Sequence, residues 1–268
     1  MGWLKLHLLV VVLLANNIAF AQAYNTLNDI NYYQPSSLIT ADSLVKQSCV
    51  LDLYYPTDIT GFPTLIWIHG GGLTGGQKYI PSYLKNKKIA VVAVEYRLSP
   101  AVPALVAIED VAAAVAWVFN NIEDFGGNPD AIFVGGHSAG GYLASMVGLD
   151  TAYLSKHSIS ANRIAGIISL SGHAITHFTV RAERGIEKTQ PVVDRYAPLF
   201  HVRADAAPYL MITGDRNLEM LGRYEENAYM VRMMKVAGHP STILYELQGY
   251  GHNIVAAAMP IVLNFINE

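Results

Sequence analysis

Gly136-His137-Ser138-Ala139-Gly140 sets one serine between two glycines, after a run that suits a strand and before Tyr142-Leu143-Ala144-Ser145-Met146-Val147, which suits a helix. On so sharp a strand-to-helix turn the serine hydroxyl projects from the edge of a sheet, and side chains at the glycine positions would collide with neighbouring backbone. Ser138 in that place is a nucleophile for acyl transfer, provided a base takes its proton. The amides that open the next helix would point at the reacting group.

Acyl transfer also needs donors for the negative oxygen of a tetrahedral intermediate. His69-Gly70-Gly71-Gly72, directly after the apolar run Thr64-Leu65-Ile66-Trp67-Ile68, offers uncrowded amides. With the residue after the nucleophile, this assigns Gly71, Gly72 and Ala139 to the oxyanion hole. A phosphate-binding turn is the other use of such glycines, but no Gly-x-x-x-x-Gly-Lys-Ser/Thr pattern follows and no acidic residue stands at the ribose-binding distance.

For the base, the expected chain order is serine, then acid, then histidine. His252 fits, in Gly249-Tyr250-Gly251-His252-Asn253 after the final strand-like run. The acid belongs on the loop after Tyr209-Leu210-Met211-Ile212-Thr213, where Asp215 and Glu219 are the carboxylates. Asp215 is the expected acid, being short, easily held rigid and anchored to the strand end, although a turn aspartate bonding its own backbone is the other reading. His173 and His177 lack the His-Glu-x-x-His metal pattern and are expected to line a lid; no metal site is expected. His69 and His137 are expected to pack and hydrogen-bond beside the site, and Asp110 to pair with Arg97. Cys49, the single cysteine, is expected to be an inert buried residue.

Apolar runs at 50–55, 64–69, 89–95, 131–135, 164–170, 209–213 and 242–247 read as strands. They alternate with helical periodicity over 103–125, 224–236 and 254–265, which implies a mostly parallel sheet flanked by helices. The stretch 171–207, without a clear period and holding Pro191 and Pro198, reads as a small lid or insertion. Gly126-Gly127-Asn128-Pro129-Asp130 is turn chemistry, so a loop is expected before the nucleophile strand. At the N-terminus, Lys5, an apolar run from Leu8 to Ala15 and Ala21-Gln22-Ala23 read as a cleavable signal peptide over residues 1–23, with maturation at Tyr24 or Gln22 and export to the periplasm or medium. Residues 24–268 then form one domain.

Of the 268 residues, 52% are hydrophobic and 15% charged, enough for a large core, and the net charge of -3 offers no basic field for nucleic acid. No segment after the leader is apolar for the roughly 20 residues that a membrane span needs.

HGGG at 69–72, YRLSP at 96–100, EDVAAAVAWV at 109–118, FGGNPD at 125–130 and GHSAGGYLA at 136–144 resemble the hormone-sensitive-lipase-like esterases, in their bacterial acetyl and feruloyl esterase (BD-FAE-like) branch. The resemblance implies the α/β-hydrolase fold and cofactor-free, metal-free hydrolysis of short acyl or aromatic esters through an acyl-enzyme, in some members on plant polysaccharides. It departs at one point: relatives often place the acid where this chain has Asn217. An amide there could orient an imidazole without supplying charge. An aryl-formamide or other amide hydrolase would use the same machinery, and a silent binding protein could share the scaffold.

Overall fold

The computed structural model describes residues 23–33 and 42–268. The expected signal peptide falls outside them apart from Ala23. Strands β1 (Tyr24–Asn31), β2 (Val50–Pro56), β3 (Phe62–Ile68), β4 (Ala90–Val94), β5 (Gly127–His137), β6 (Gly166–Leu170), β7 (Tyr209–Gly214) and β8 (Thr242–Leu247) form one sheet in the order β1-β2-β4-β3-β5-β6-β7-β8. Among the described residues only the β1–β2 and β2–β4 pairs are antiparallel. From β4 to β8 every pair is parallel, so those strands share a carboxyl edge, where ligands bind in open sheets of this kind.

Strand alternation fills a core on each face of the sheet. Ile66, Ile68, Val92, Val94 and Val134 turn to one side, where helices α2 (Val106–Asn121), α3 (Ala139–Leu149) and α6 (Arg223–Val236) cover them with Ile108, Val111, Val115, Tyr142, Leu143, Met230 and Met234. Leu65, Trp67, Val91, Ile168 and Leu210 turn to the other, under Ala258, Met259, Val262 and Ile266 of α7 (Val255–Asn267). Every residue of α3 is buried, which anchors the segment behind the serine against the sheet. The described chain also contains the short α-helices α1 (Ser43–Ser48), α4 (Thr151–Ser155) and α5 (Phe178–Glu183), besides single turns of 3-10 helix.

Two features depart from the sequence reading. β1 carries too few apolar residues to announce itself, and it forms because an edge strand needs only one side paired; its register shifts between Leu27 and Ile30, where Asp29 has φ 55°. The turn-like Gly127-Asn128-Pro129-Asp130 lies within β5 rather than in a loop before it. Phe62 pairs with Gly127 and Thr64 with Ile132, so the extra residues are absorbed as a bulge at the strand's start.

Away from the reaction centre, Arg97 grips Asp110 through Nη2 at 2.6 Å and Nε at 2.9 Å, and the Tyr33 hydroxyl donates to the same carboxylate at 2.8 Å. This pair ties the loop after β4 to α2. Cys49, fully buried just before β2, has its thiol pushed up to about 12 by burial.

Candidate active site

Ser138 stands between β5 and α3 with φ 56° and ψ -117°, a conformation rare for a side-chain-bearing residue. The crossing is tight. A Cβ on Gly136 would lie 2.4 Å from the Ile68 carbonyl oxygen, and one on Gly140 would lie 2.0 Å from the same atom. Glycine is required at both places by close backbone approach. Ser138 is then fixed by its own amide, which donates to the Leu170 carbonyl at 2.8 Å.

His252, on the loop after β8, brings Nε2 to 2.9 Å from Ser138 Oγ. Its Nδ1 lies 2.6 Å from Glu219 Oε1. With the carboxylate ionised, Nδ1 carries the proton and donates to it, leaving the Nε2 lone pair free to accept from the serine hydroxyl. His137 secures the loop: its Nε2 donates to the His252 carbonyl at 2.8 Å, and burial lowers its pKa to about 4, so the ring is neutral.

Glu219 is the buried end of this chain, with its side chain 1% exposed. Besides His252, Oε1 accepts from the Met220 amide at 3.0 Å, while Oε2 accepts from Ser171 Oγ at 2.6 Å and the Gly214 amide at 3.1 Å. Burial opposes ionisation here, but the bonds from His252, Ser171 and Met220 outweigh it and hold the carboxyl at about 2.

Asp215, the expected acid, does not reach His252. Its Oδ1 accepts from the amide of Asn217 at 2.9 Å and from that residue's Nδ2 at 3.3 Å, and its Oδ2 accepts from the Gly249 amide at 3.0 Å. The aspartate therefore closes the loop as a backbone-bonding turn residue. Its carbonyl accepts from the amides of Leu218 and Glu219 at 2.9 and 2.8 Å, and that helical turn carries Glu219 back over the strand end. The longer side chain makes up the distance. Asn217 spends its amide on Asp215 and does not orient the imidazole.

A cavity of about 680 Å³ opens over Ser138 and His252, with Gly70, Gly71, Gly72, Phe178 and Met220 in its walls. The amides of Gly71, Gly72 and Ala139 donate to no acceptor within the described residues. Gly71 has φ 121° and its Cβ position lies 1.9 Å from the Gly75 oxygen, so only glycine allows this loop. Thr179 on α5 fastens the loop by donating to the Gly72 carbonyl at 2.5 Å. Segment 171–207 thus supplies Phe178 to the cavity wall and a tether for the oxyanion loop.

His173 and His177 are buried, His177 as the N-cap of α5 with Nδ1 accepting from the Thr179 amide. Arg223 Nη2 donates to His173 Nε2 at 2.8 Å, so His173 Nδ1 carries the proton and gives it to Glu226 at 2.9 Å. Arg223 also donates through Nη1 to the Ser171 carbonyl. His69 sets Nε2 3.0 Å from Glu95 and stacks on Tyr96, whose hydroxyl donates to the His69 carbonyl at 2.9 Å. Ser171, Phe178, Met220 and Arg223 were not singled out from sequence. A polar residue just past Leu170, where β6 ends beside the nucleophile strand, was the available signal for Ser171.

Comparison with known proteins shows what the chain as a whole is similar to. A family model described as BD-FAE matches residues 51–220. Esterase LipC of Mycobacterium tuberculosis is 27% identical over 213 residues, covering 71% of this chain and 52% of that protein. Venom carboxylesterase-6 of Apis mellifera is 37% identical over 120 residues, covering 38% of this chain and 21% of that protein. The chain spans about half or less of the length of such curated relatives. Among solved structures, a truncated form of a carbohydrate esterase from gut microbiota superposes with a TM-score of 0.73 at 18% identity, covering 92% of this chain and 96% of that one. Esterase B from Lactobacillus rhamnosis gives 0.69 at 19% identity, covering 90% and 85%. The shared architecture is the α/β-hydrolase fold.

Proposed function

The chain belongs to the BD-FAE family, and from that premise we propose that it is a serine hydrolase that cleaves carboxylic esters of short acyl or aromatic acids, including esters carried on carbohydrate. The observation that carries this reading is the continuous hydrogen-bonded chain Ser138–His252–Glu219 beside amides with no acceptor of their own. The curated relatives named as carboxylesterases and esterases support the same chemistry.

In the reaction, Ser138 Oγ attacks the ester carbonyl while His252 Nε2 takes its proton, and Glu219 stabilises the imidazolium that forms. The oxyanion accepts from the amides of Gly71, Gly72 and Ala139. Collapse of the intermediate expels the alcohol, which takes the proton back from His252. Water, deprotonated by the same nitrogen, then attacks the acyl-serine and releases the acid, restoring Ser138. Each proton borrowed is returned.

Export belongs to the same proposal: residues 1–23 carry a basic start, an apolar run and a small-residue cleavage site, which supports a leader removed before the enzyme works outside the cytoplasm. Among the described residues no helix is long and apolar enough to cross a membrane. The test of function is turnover of a panel comprising nitrophenyl esters, feruloyl esters and acetylated xylan. Hydrolysis of at least one class, lost in Ser138→Ala, is the expected result; a folded wild-type protein inert to all of them overturns the reading.

A further inference from the structure

Beside the cavity over Ser138 lies a second, of about 320 Å³, between α5 with its following loop and the start of α6. Ile175, Pro191 and Leu221 give it apolar walls, and Arg181, Lys188, Glu225 and Glu226 are its charged groups. Arg181 is 2% exposed. A guanidinium has five N–H donors, and among the described residues only Nη1 has an acceptor, the Gln190 carbonyl. Its Nε is buried without a partner. A buried guanidinium that is only partly satisfied is costly, and an anion in the cavity would offset part of that cost.

The neighbouring groups favour an anion. Lys188 is exposed, forms no ion pair among the described residues, and holds Nζ 5.9 Å from the centre of the Phe178 ring. The N-terminus of α6 has no side-chain cap and meets the cavity at Gly222, adding the positive end of a 14-residue helix. Of the two carboxylates, Glu226 is turned to His173 Nδ1 and the Ala174 amide, and burial pushes it up to about 7. Glu225 is exposed on the first turn of α6. Neither forms an ion pair with Arg181. Phe178 walls the cavity over Ser138 and also lies under Lys188, and Met220 in the wall of that cavity is followed in the chain by Leu221 in the wall of the second, so the two cavities adjoin there.

Resting on the ester-hydrolase reading above, we propose that this second cavity is a carboxylate-binding subsite, in which Arg181 and Lys188 recognise a carboxylate borne by the ester whose carbonyl sits at Ser138. The enzyme is then selective for anionic esters, such as hemiesters of dicarboxylic acids or acylated hydroxy acids and uronic acids.

The test compares matched pairs at low salt: 4-nitrophenyl hemiesters of succinate, glutarate and adipate against neutral acyl esters of equal length, and 4-acetoxybenzoate against its methyl ester. A kcat/KM ratio favouring the anionic member of either set by about tenfold or more is expected, because charge-assisted bonds from a buried arginine are among the stronger ones. Arg181→Met and, at an exposed position that spares the fold, Lys188→Met should each bring that ratio towards unity. Wild-type turnover of neutral and anionic esters without preference in both sets, or a preference that survives both substitutions, overturns the subsite and leaves the esterase reading standing. If no ester is turned over, the esterase reading fails instead. Calorimetry of Ser138→Ala with the non-leaving analogue glutarate monoamide then decides the subsite, by binding that Lys188→Met weakens or by no binding at all.

Discussion

Replacing Glu219 by glutamine changes one atom and removes one charge. The side chain keeps its length and its buried place, but it meets three donors besides His252, from Ser171, Gly214 and Met220. An amide has one acceptor oxygen and brings two N–H groups of its own. Whichever way it turns, a donor faces a donor: Ser171 and Gly214 on one side, or His252 Nδ1 and Met220 on the other. If the NH2 faces His252, it forces the proton onto Nε2 and the serine loses its base. If the oxygen does, the tautomer survives but no charge stabilises the imidazolium. The equivalent exchange in a serine protease costs about 10⁴ in kcat, or about 5 kcal/mol of transition-state stabilisation. We expect Glu219→Gln to lose between about 10³ and 10⁴ in kcat on 4-nitrophenyl acetate with KM little changed, by comparison with that exchange. Asp215→Asn, which alters a loop-closing turn, should stay within about tenfold of wild type, as a lost turn bond affects stability more than chemistry. Circular dichroism must show both variants folded. Full activity in Glu219→Gln beside a collapse in Asp215→Asn would refute the assignment.

Ser171 has φ 48°, which glycine adopts freely, so Ser171→Gly should preserve the turn while deleting the hydroxyl that donates to Glu219. It should lower kcat about tenfold with KM unchanged, and an unaltered kcat would show that Ser171 does not position the acid. The Glu219 carboxyl is depressed from 4.5 to about 2 in the folded protein. Its stabilising contribution is therefore complete above the unfolded value and disappears as pH falls through the folded one. Melting temperatures measured from pH 6 down to pH 2 should show the gap between wild type and Glu219→Gln closing; a constant gap contradicts this. N-terminal sequencing of secreted or periplasmic protein should begin at Tyr24 or Gln22, and recovery only of an uncleaved chain would contradict export.

The turn at Ser138 and the glycine loop are legible because each is dictated by local backbone demands, and His252 is legible from its place after the last strand in chain order. Gly136 and Gly140 are fixed by the approach of the Ile68 carbonyl, and Gly71 by the Gly75 carbonyl, so these requirements leave glycine in the sequence. Central strands were legible because both faces are buried. β1 was not, since an edge strand with an exposed surface has little apolar pattern to show. The carboxylate that meets His252 is not legible for a different reason. Which of two carboxylates meets His252 depends on the turn through Asp215, Leu218 and Glu219, and on whether the shorter side chain is claimed by the Gly249 amide from another loop. That competition is tertiary, and residue type and spacing do not encode it. The donors that make Glu219 a stable buried anion come from four separate chain positions, His252, Ser171, Gly214 and Met220, of which only Met220 is adjacent to it.

The central claim is that Ser138 becomes covalently acylated, and its most direct measurement is reaction with a fluorophosphonate followed by intact mass and peptide mapping. The account predicts one adduct per chain, on the peptide carrying Gly136-His137-Ser138-Ala139-Gly140, formed together with loss of ester turnover and absent from Ser138→Ala. Ester turnover that persists in a chain fully modified at Ser138, or an inactivating adduct on any other residue, would contradict it.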